Sequence, residues 1–147
     1  MPATRARIET KLASTCLFTL LLCTSVAARA QQKPEQLAQQ SGEPWLELVD
    51  NAKYAESWNQ AAQSFKAAVT SDQWQGMLGT TRTPLGKVLS RKLKSATYTK
   101  TLPGAPDGEY VVMQYDTSFE HKQGAVETVV PMLDKDGKWR VSGYFIK

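Results

Sequence analysis

The sequence predicts an α+β fold in which N-terminal helices pack on one face of a four-stranded antiparallel meander sheet. Three observations predict it. Apolar residues recur at spacings of three and four up to about Leu93, and at a spacing of two from Ser95 onwards. The breaks in the second half are short turn sequences, and short connections join antiparallel neighbours. Each half carries one apolar face, so each can bury the other.

Residues 1–30 read as an address rather than as part of that fold. Arg5, Arg7 and Lys11 form a basic head, Leu12 to Ala28 is apolar and richest from Cys16 to Cys23, and Ala28-Arg29-Ala30 is an A-x-A cleavage pattern. That order is the order of a secretory signal peptide. Its apolar core is shorter than the ~20 apolar residues that a spanning helix needs. Ser14, Thr15, Thr19, Thr24 and Ser25 dilute it further, which argues against an uncleaved anchor. Neither Cys16, after Thr15, nor Cys23, after Leu22, suits lipid attachment. The expectation is an exported chain, periplasmic or secreted after cleavage near Ala30, with no stable membrane insertion afterwards.

Processing changes the arithmetic. The 147 residues hold 18 Lys+Arg, 14 Asp+Glu, one His and two Cys, for a net +4. Cleavage removes Arg5, Arg7, Lys11, Arg29 and Glu9, which leaves +1, and it removes both Cys. What remains has no disulfide, no thiol nucleophile and no Cys metal ligand, and it tolerates an oxidising compartment. So small a charge, without a stacking platform, gives no reason to expect a nucleic-acid partner.

The elements follow in order. Gln31 to Glu43 (QQKPEQLAQQSGE) is polar and aperiodic, and reads as a disordered spacer before a single domain over 44–147. Pro44 to Thr70 predicts one long helix, with Leu48, Ala52, Ala55, Trp58, Ala62, Phe65 and Val69 on one face and Asp50, Lys53, Gln60 and Ser64 opposite. Pro44 suits its first position. Ser71 is expected to cap a second helix through Trp74 and Leu78, and Pro84 to open a third. In that third helix Leu85, Val88, Leu89 and Leu93 lie opposite Lys87, Arg91, Lys92 and Lys94.

Four strands are expected near 95–102, 109–120, 125–133 and 138–146. Asp136-Gly137 signals a two-residue type I′ hairpin. Pairing Leu102 with Glu109, Glu120 with Ala125 and Lys135 with Lys138 sets a register. It places Tyr98 opposite Met113, Met113 opposite Met132, Tyr115 opposite Val130, Met132 opposite Val141 and Thr128 opposite Phe145. One face then holds Tyr98, Val111, Met113, Tyr115, Phe119, Val126, Val130, Met132, Trp139, Val141 and Phe145.

Several of these stretches resemble a known family. Arg82-Thr83-Pro84-Leu85-Gly86 with Ser90-Arg91, the loop Leu102 to Tyr110, and the ending Asp136 to Ile146 look like a family of small exported bacterial proteins. That family is catalogued only as domain of unknown function 4019, and the resemblance runs from about Trp45 to Lys147. It brings no catalytic residue that could be carried over. The helix-then-meander order is also similar to the nuclear-transport-factor-2-like and cystatin-like group, whose sheets curl around a helix. Such folds host enzymes, binders and inhibitors alike.

The chemistry candidates are few. His121 lies in an expected hairpin loop, where nothing would hold it in a triad with Ser118 and Asp116. Asp134-x-Asp136-Gly137 starts like a calcium loop but lacks the later oxygen ligands, so a tight turn explains it and no metal is expected. Asp116 and Glu127 would make a carboxylate pair, but the register puts both on the solvent side, where an acid is a poor base near neutral pH. Lys87, Arg91, Lys92 and Lys94 form a basic face that reads as solvated. The alternative is contact with anionic lipid, polysaccharide or an acidic partner. Arg82 either caps helix-end carbonyls or pairs with an acid, or it is an anion clamp, because a guanidinium grips a carboxylate in a fork; Arg91 is a further candidate ligand-binding residue. Trp58 and Trp139 read as core.

The best reading is a non-enzymatic exported domain that binds or supports a cell-envelope partner, with no cofactor. Its alternative is a small-molecule or enzymatic pocket between the long helix and the sheet, lined by Tyr98, Tyr115, Thr117 and Thr128. A third is a protein inhibitor acting through exposed loops.

Overall fold

The computed structural model describes residues Gln31–Lys147, and the expected signal peptide lies outside the described residues. Helix α1 spans Pro34–Asp50, α2 Tyr54–Asn59, α3 Gln63–Ala68 and α4 Ser71–Thr81. A 3-10 turn at Thr83–Leu85 leads into β1 Val88–Thr99, β2 Tyr110–Phe119, β3 Lys122–Leu133 and β4 Trp139–Ile146. The four strands form one antiparallel sheet in the order β1-β2-β3-β4. The α+β class and the meander are as the sequence predicts. No helix among the described residues is long and apolar enough to cross a membrane.

The helical half differs in three ways. First, α1 starts at Pro34, which takes the helix's first turn, while Gln36 accepts the Lys33 N–H at 3.3 Å. The stretch expected to be a spacer is therefore helix. Its buried residues are Ala38 and Gly42, too small to show as an apolar stripe. A Cβ at Gly42 would sit 2.5 Å from Met113 Cε, so the missing side chain lets α1 lie close to the sheet. Pro44 is an interior residue on the exposed side, where its lost hydrogen bond faces water.

Second, the single helix expected from Pro44 to Thr70 is three. α1 closes at Ala52, which takes a left-handed φ of 55°, and the Lys53 N–H folds back to the Leu48 carbonyl at 2.8 Å. Between α2 and α3, Ala61 and Ala62 are wholly buried, and the Ala62 N–H donates to the Val141 carbonyl at 2.8 Å. The α4 cap is Thr70 rather than Ser71: Thr70 Oγ1 accepts the Gln73 N–H at 3.3 Å, and Gln73 Oε1 accepts the Thr70 N–H at 3.0 Å.

Third, the helix expected to open at Pro84 ends at once. Gly86 has φ 74°, which breaks the helical path, and the chain continues as β1. The basic face is therefore a strand. Arg91 pairs with Thr117 and turns inward, while Lys92 and Lys94 are exposed.

The register differs in an instructive way. β1 and β2 pair Tyr98 with Val111, two residues from the expected match, which keeps Tyr98 on the same face. β2 and β3 pair Phe119 with Lys122 around a tighter turn, with Tyr115 opposite Glu127 and Met113 opposite Val129. Gly124, expected in the turn, lies inside β3 with φ 66° beside a register shift. The net shift of three is odd, so it turns β3 over. Ala125, Glu127 and Val129 face the helices, and Val126, Val130 and Met132 face away. At β3–β4 the turn is one residue longer than expected: Asp134 pairs with Lys138, and only Gly137 has a positive φ, 78°. An irregularity between Val130 and Pro131 absorbs the extra residue, so Thr128 still faces Phe145 as predicted. Met132 instead pairs with Arg140. Phe145, expected in the core, is 60% exposed.

The core lies between Trp45, Leu46 and Val49 of α1, Trp74 and Leu78 of α4, and the inner sheet face of Val111, Met113, Tyr115, Val129, Val141 and Tyr144. Trp45 and Trp74 donate their indole N–H groups to buried Ser57, at 2.8 Å to its carbonyl and 2.9 Å to its hydroxyl. Aromatic bulk therefore enters the interface with its polar atoms satisfied.

Candidate functional site: a buried four-charge cluster

A strongly polar region of the core is built from α1, the end of α4, and all four strands. Asp50 projects from the last turn of α1. Arg82 follows α4, and its side chain is 3% exposed. Arg91 comes from β1, Glu127 from β3 and Tyr144 from β4, while Thr117 of β2 sits between them.

Arg91 holds both acids. It donates to Asp50 from Nη1 at 2.6 Å and Nη2 at 2.9 Å, and to Glu127 from Nε at 2.7 Å and Nη2 at 3.1 Å. Arg82 donates from Nη2 to Asp50 at 3.0 Å and from Nη1 to the Gly86 carbonyl at 2.7 Å. Its guanidinium carbon lies 4.6 Å from the centre of the Phe119 ring, a cation–π contact. Its buried Nε has no hydrogen-bond partner among the described residues. Glu127 is fully buried, and it also accepts the Thr117 hydroxyl at 2.6 Å and the Tyr144 phenol at 2.5 Å.

The charges balance, with two guanidiniums and two carboxylates. Burial pulls the Arg91 pKa down, but the hydrogen bonds and charges of Asp50 and Glu127 outweigh it, so the net shift is upward and Arg91 stays charged. Burial first, then the charge and hydrogen bond of Glu127, push the Tyr144 phenol well up. Tyr115, beside the cluster, is raised to about 12, mainly by burial and then by the Glu43 charge. Each Glu127 oxygen accepts two hydrogen bonds. This leaves Glu127 no free lone pair for a substrate proton, so Glu127 orients its neighbours rather than serving as a base.

The structure brings together three of the six sequence-predicted residues, Arg82, Arg91 and Thr117, with Tyr115 packed alongside. Both arginines grip a carboxylate, but it is the chain's own Asp50, and Arg82 also binds the Gly86 carbonyl, as its helix-end reading expects. Tyr98 lies elsewhere, donating to Glu109 at 3.2 Å. Thr128 is on the opposite sheet face, paired with Phe145. Glu127 is not on the solvent side as expected, so it makes no pair with Asp116, which is exposed and 3.4 Å from Lys94. His121 is exposed in the turn. Sequence reasoning missed Asp50, Glu127 and Tyr144. An acid amid Ala125, Val126, Val129 and Val130, and Arg91 at the same strand parity as Leu89 and Leu93, were the signals that could have found the pair.

Two grooves open at the edge of the domain. One, of about 480 Å³, runs between the Leu102–Pro106 loop and α3 over Val112, Val130 and Gly143. The other, of about 720 Å³, adjoins it at Ser64, Pro106 and Tyr110 and is bordered by Asp107, Asp134 and Arg140. Arg140 binds Asp134 at 2.9 Å and Asp136 through both nitrogens, at 2.9 and 2.8 Å. The hydrogen bond from Arg140 holds Asp136 down at about 2.

A family model described as a protein of unknown function, DUF4019, matches residues 41–144. The chain belongs to the DUF4019 family. The match begins inside α1 and ends in β4, so every member of the buried cluster lies within it. No curated protein and no solved structure matches this DUF4019 chain, so the expected likeness to the nuclear-transport-factor-2-like and cystatin-like group has no solved relative behind it.

Proposed function

We propose that the chain is an exported, non-enzymatic domain that binds or supports a partner in the cell envelope, with the buried cluster serving as its scaffold. The observation that carries this reading is the saturation of Glu127. Its carboxylate is fully buried and its hydrogen-bonding positions are taken by Arg91, Thr117 and Tyr144. A helix–sheet interface closed in this way suits mechanical support better than turnover. Contact with a partner then falls to the edge grooves. The basic head, apolar run and A-x-A pattern of residues 1–30 support export.

The test is expression of the full chain in a bacterial host, fractionation, and native mass spectrometry of the protein released from the envelope. The expected species begins at Gln31 and retains an envelope component. A protein kept in the cytoplasm with residues 1–30 attached would sink the export reading. A reaction lost in Glu127→Gln at unchanged melting temperature would sink the non-enzymatic one.

A further inference from the structure

Helix α3 is held more weakly than its neighbours. It is six residues long and contains no buried residue. Its own ties are peripheral: Gln63 N–H to Asp134 at 3.4 Å, the Ser64 hydroxyl to Met132 Sδ at 3.0 Å, and Lys66 Nζ to the Asn59 carbonyl at 3.2 Å. On its inner side only the half-buried Phe65 ring reaches the core, meeting Trp74 edge-on with centres 5.0 Å apart.

The flanks are firm by contrast. Buried Ala62 is tied to Val141, the Trp58 indole donates to the Val69 carbonyl at 2.7 Å, and Thr70 caps α4. Ala62 and Val69 are both extended, so each end of α3 already carries a break from helical geometry. α3 also walls both grooves, with Ser64, Phe65 and Ala68 lining one and Gln63, Ser64 and Ala67 the other.

We propose that α3 is a flap that swings out between Ala62 and Val69, opens the first groove inward, and admits an uncharged apolar ligand against Trp74. The ligand class follows from what the movement exposes. Phe65 and Trp74 are aromatic, the first groove is lined by no charged side chain, and Phe145 stands 60% exposed at its rim. Asp134 is the positioning residue: 8% exposed and held by Arg140, it accepts the first N–H of α3. The flap deepens the binding reading above, but its opening needs neither export nor a known partner.

Hydrogen exchange on the full chain tests the motion. The α3 amides should exchange on the order of tenfold faster than those of α2 and α4, because a segment with few buried contacts opens without the rest. Asp134→Ala should speed α3 further and leave α1 unchanged. Ligand access is tested with N-phenyl-1-naphthylamine, a neutral apolar dye, in a chain carrying Cys16→Ser, Cys23→Ser, Ser64→Cys and Met132→Cys. A short bis-methanethiosulfonate bridge should cut dye binding several-fold, and a reductant should restore it. Exchange of α3 at the rate of α2 and α4 would overturn the flap. Dye binding that is absent, or undiminished by the bridge, would overturn its role in admitting a ligand. Failure of these arms leaves the export and partner results above untouched, so the two readings fall separately.

Discussion

Ala52 adopts a backbone conformation that an L side chain resists. Its φ of 55° closes α1 where glycine is the usual residue. Ala52→Gly should therefore raise stability by about 1 kcal/mol, read as a higher urea midpoint at unchanged slope. Glu127 is the opposite case. Its removal leaves Arg91 largely buried without half of its counter-charge, so Glu127→Ala should cost about 3–5 kcal/mol in the same assay. Asp136 is exposed, and its contribution is lost in acid. Arg140 lowers its folded pKa from 3.8 to about 2, so its contribution is complete above the unfolded value and disappears as pH falls through the folded one. The stability difference between the parent and Asp136→Asn should be constant above about pH 4 and should shrink towards zero near pH 2.

At the level of elements, legibility followed side-chain size and turn chemistry. The meander was readable because Pro103-Gly104, a polar stretch around His121 and Asp136-Gly137 interrupt the alternating pattern, although Gly124 itself lies within β3. The start of α1 was not, because it buries Ala38 and Gly42, which carry almost no hydrophobic signal. Gly42→Val tests that account. The added atoms would press on fully buried Met113 and on Pro131, and overpacking of this kind costs about 1–3 kcal/mol. Unchanged thermal unfolding would show that α1 can lift off the sheet at no cost. The long helix failed for a local reason. Its apolar spacing is continuous through Ala52 and Ala62, but both are turn points, and alanine at a turn looks like alanine in a helix. Arg82 was legible as a helix-end residue with an acid partner; Asp50 was not nameable as that partner, since the end of α1 and the end of α4 meet only in three dimensions.

For the whole molecule, hydrophobic patterning alone favours a different sheet. The expected register turns Val126, Val130 and Met132 inward, whereas the folded protein turns in Ala125, Glu127 and Val129, a less apolar set. Three features oppose that pattern together: the tight turn after Phe119, the left-handed Gly124, and the Arg91–Glu127 pair, which only the observed alignment satisfies. The buried pair thus acts as a key. Slipping β3 by an odd number of residues would leave Arg91 facing valine and would carry Glu127 into water. A variant with both Arg91 and Glu127 replaced by leucine should remain compact and gain apolar burial, but its β3 amides should give more than one set of NMR signals. A single set, with unchanged β2–β3 contacts, would assign alignment to the turn alone. Two charges hidden among valines are in this sense information rather than adhesive: they cost solvation, and they leave the chain one way to line up.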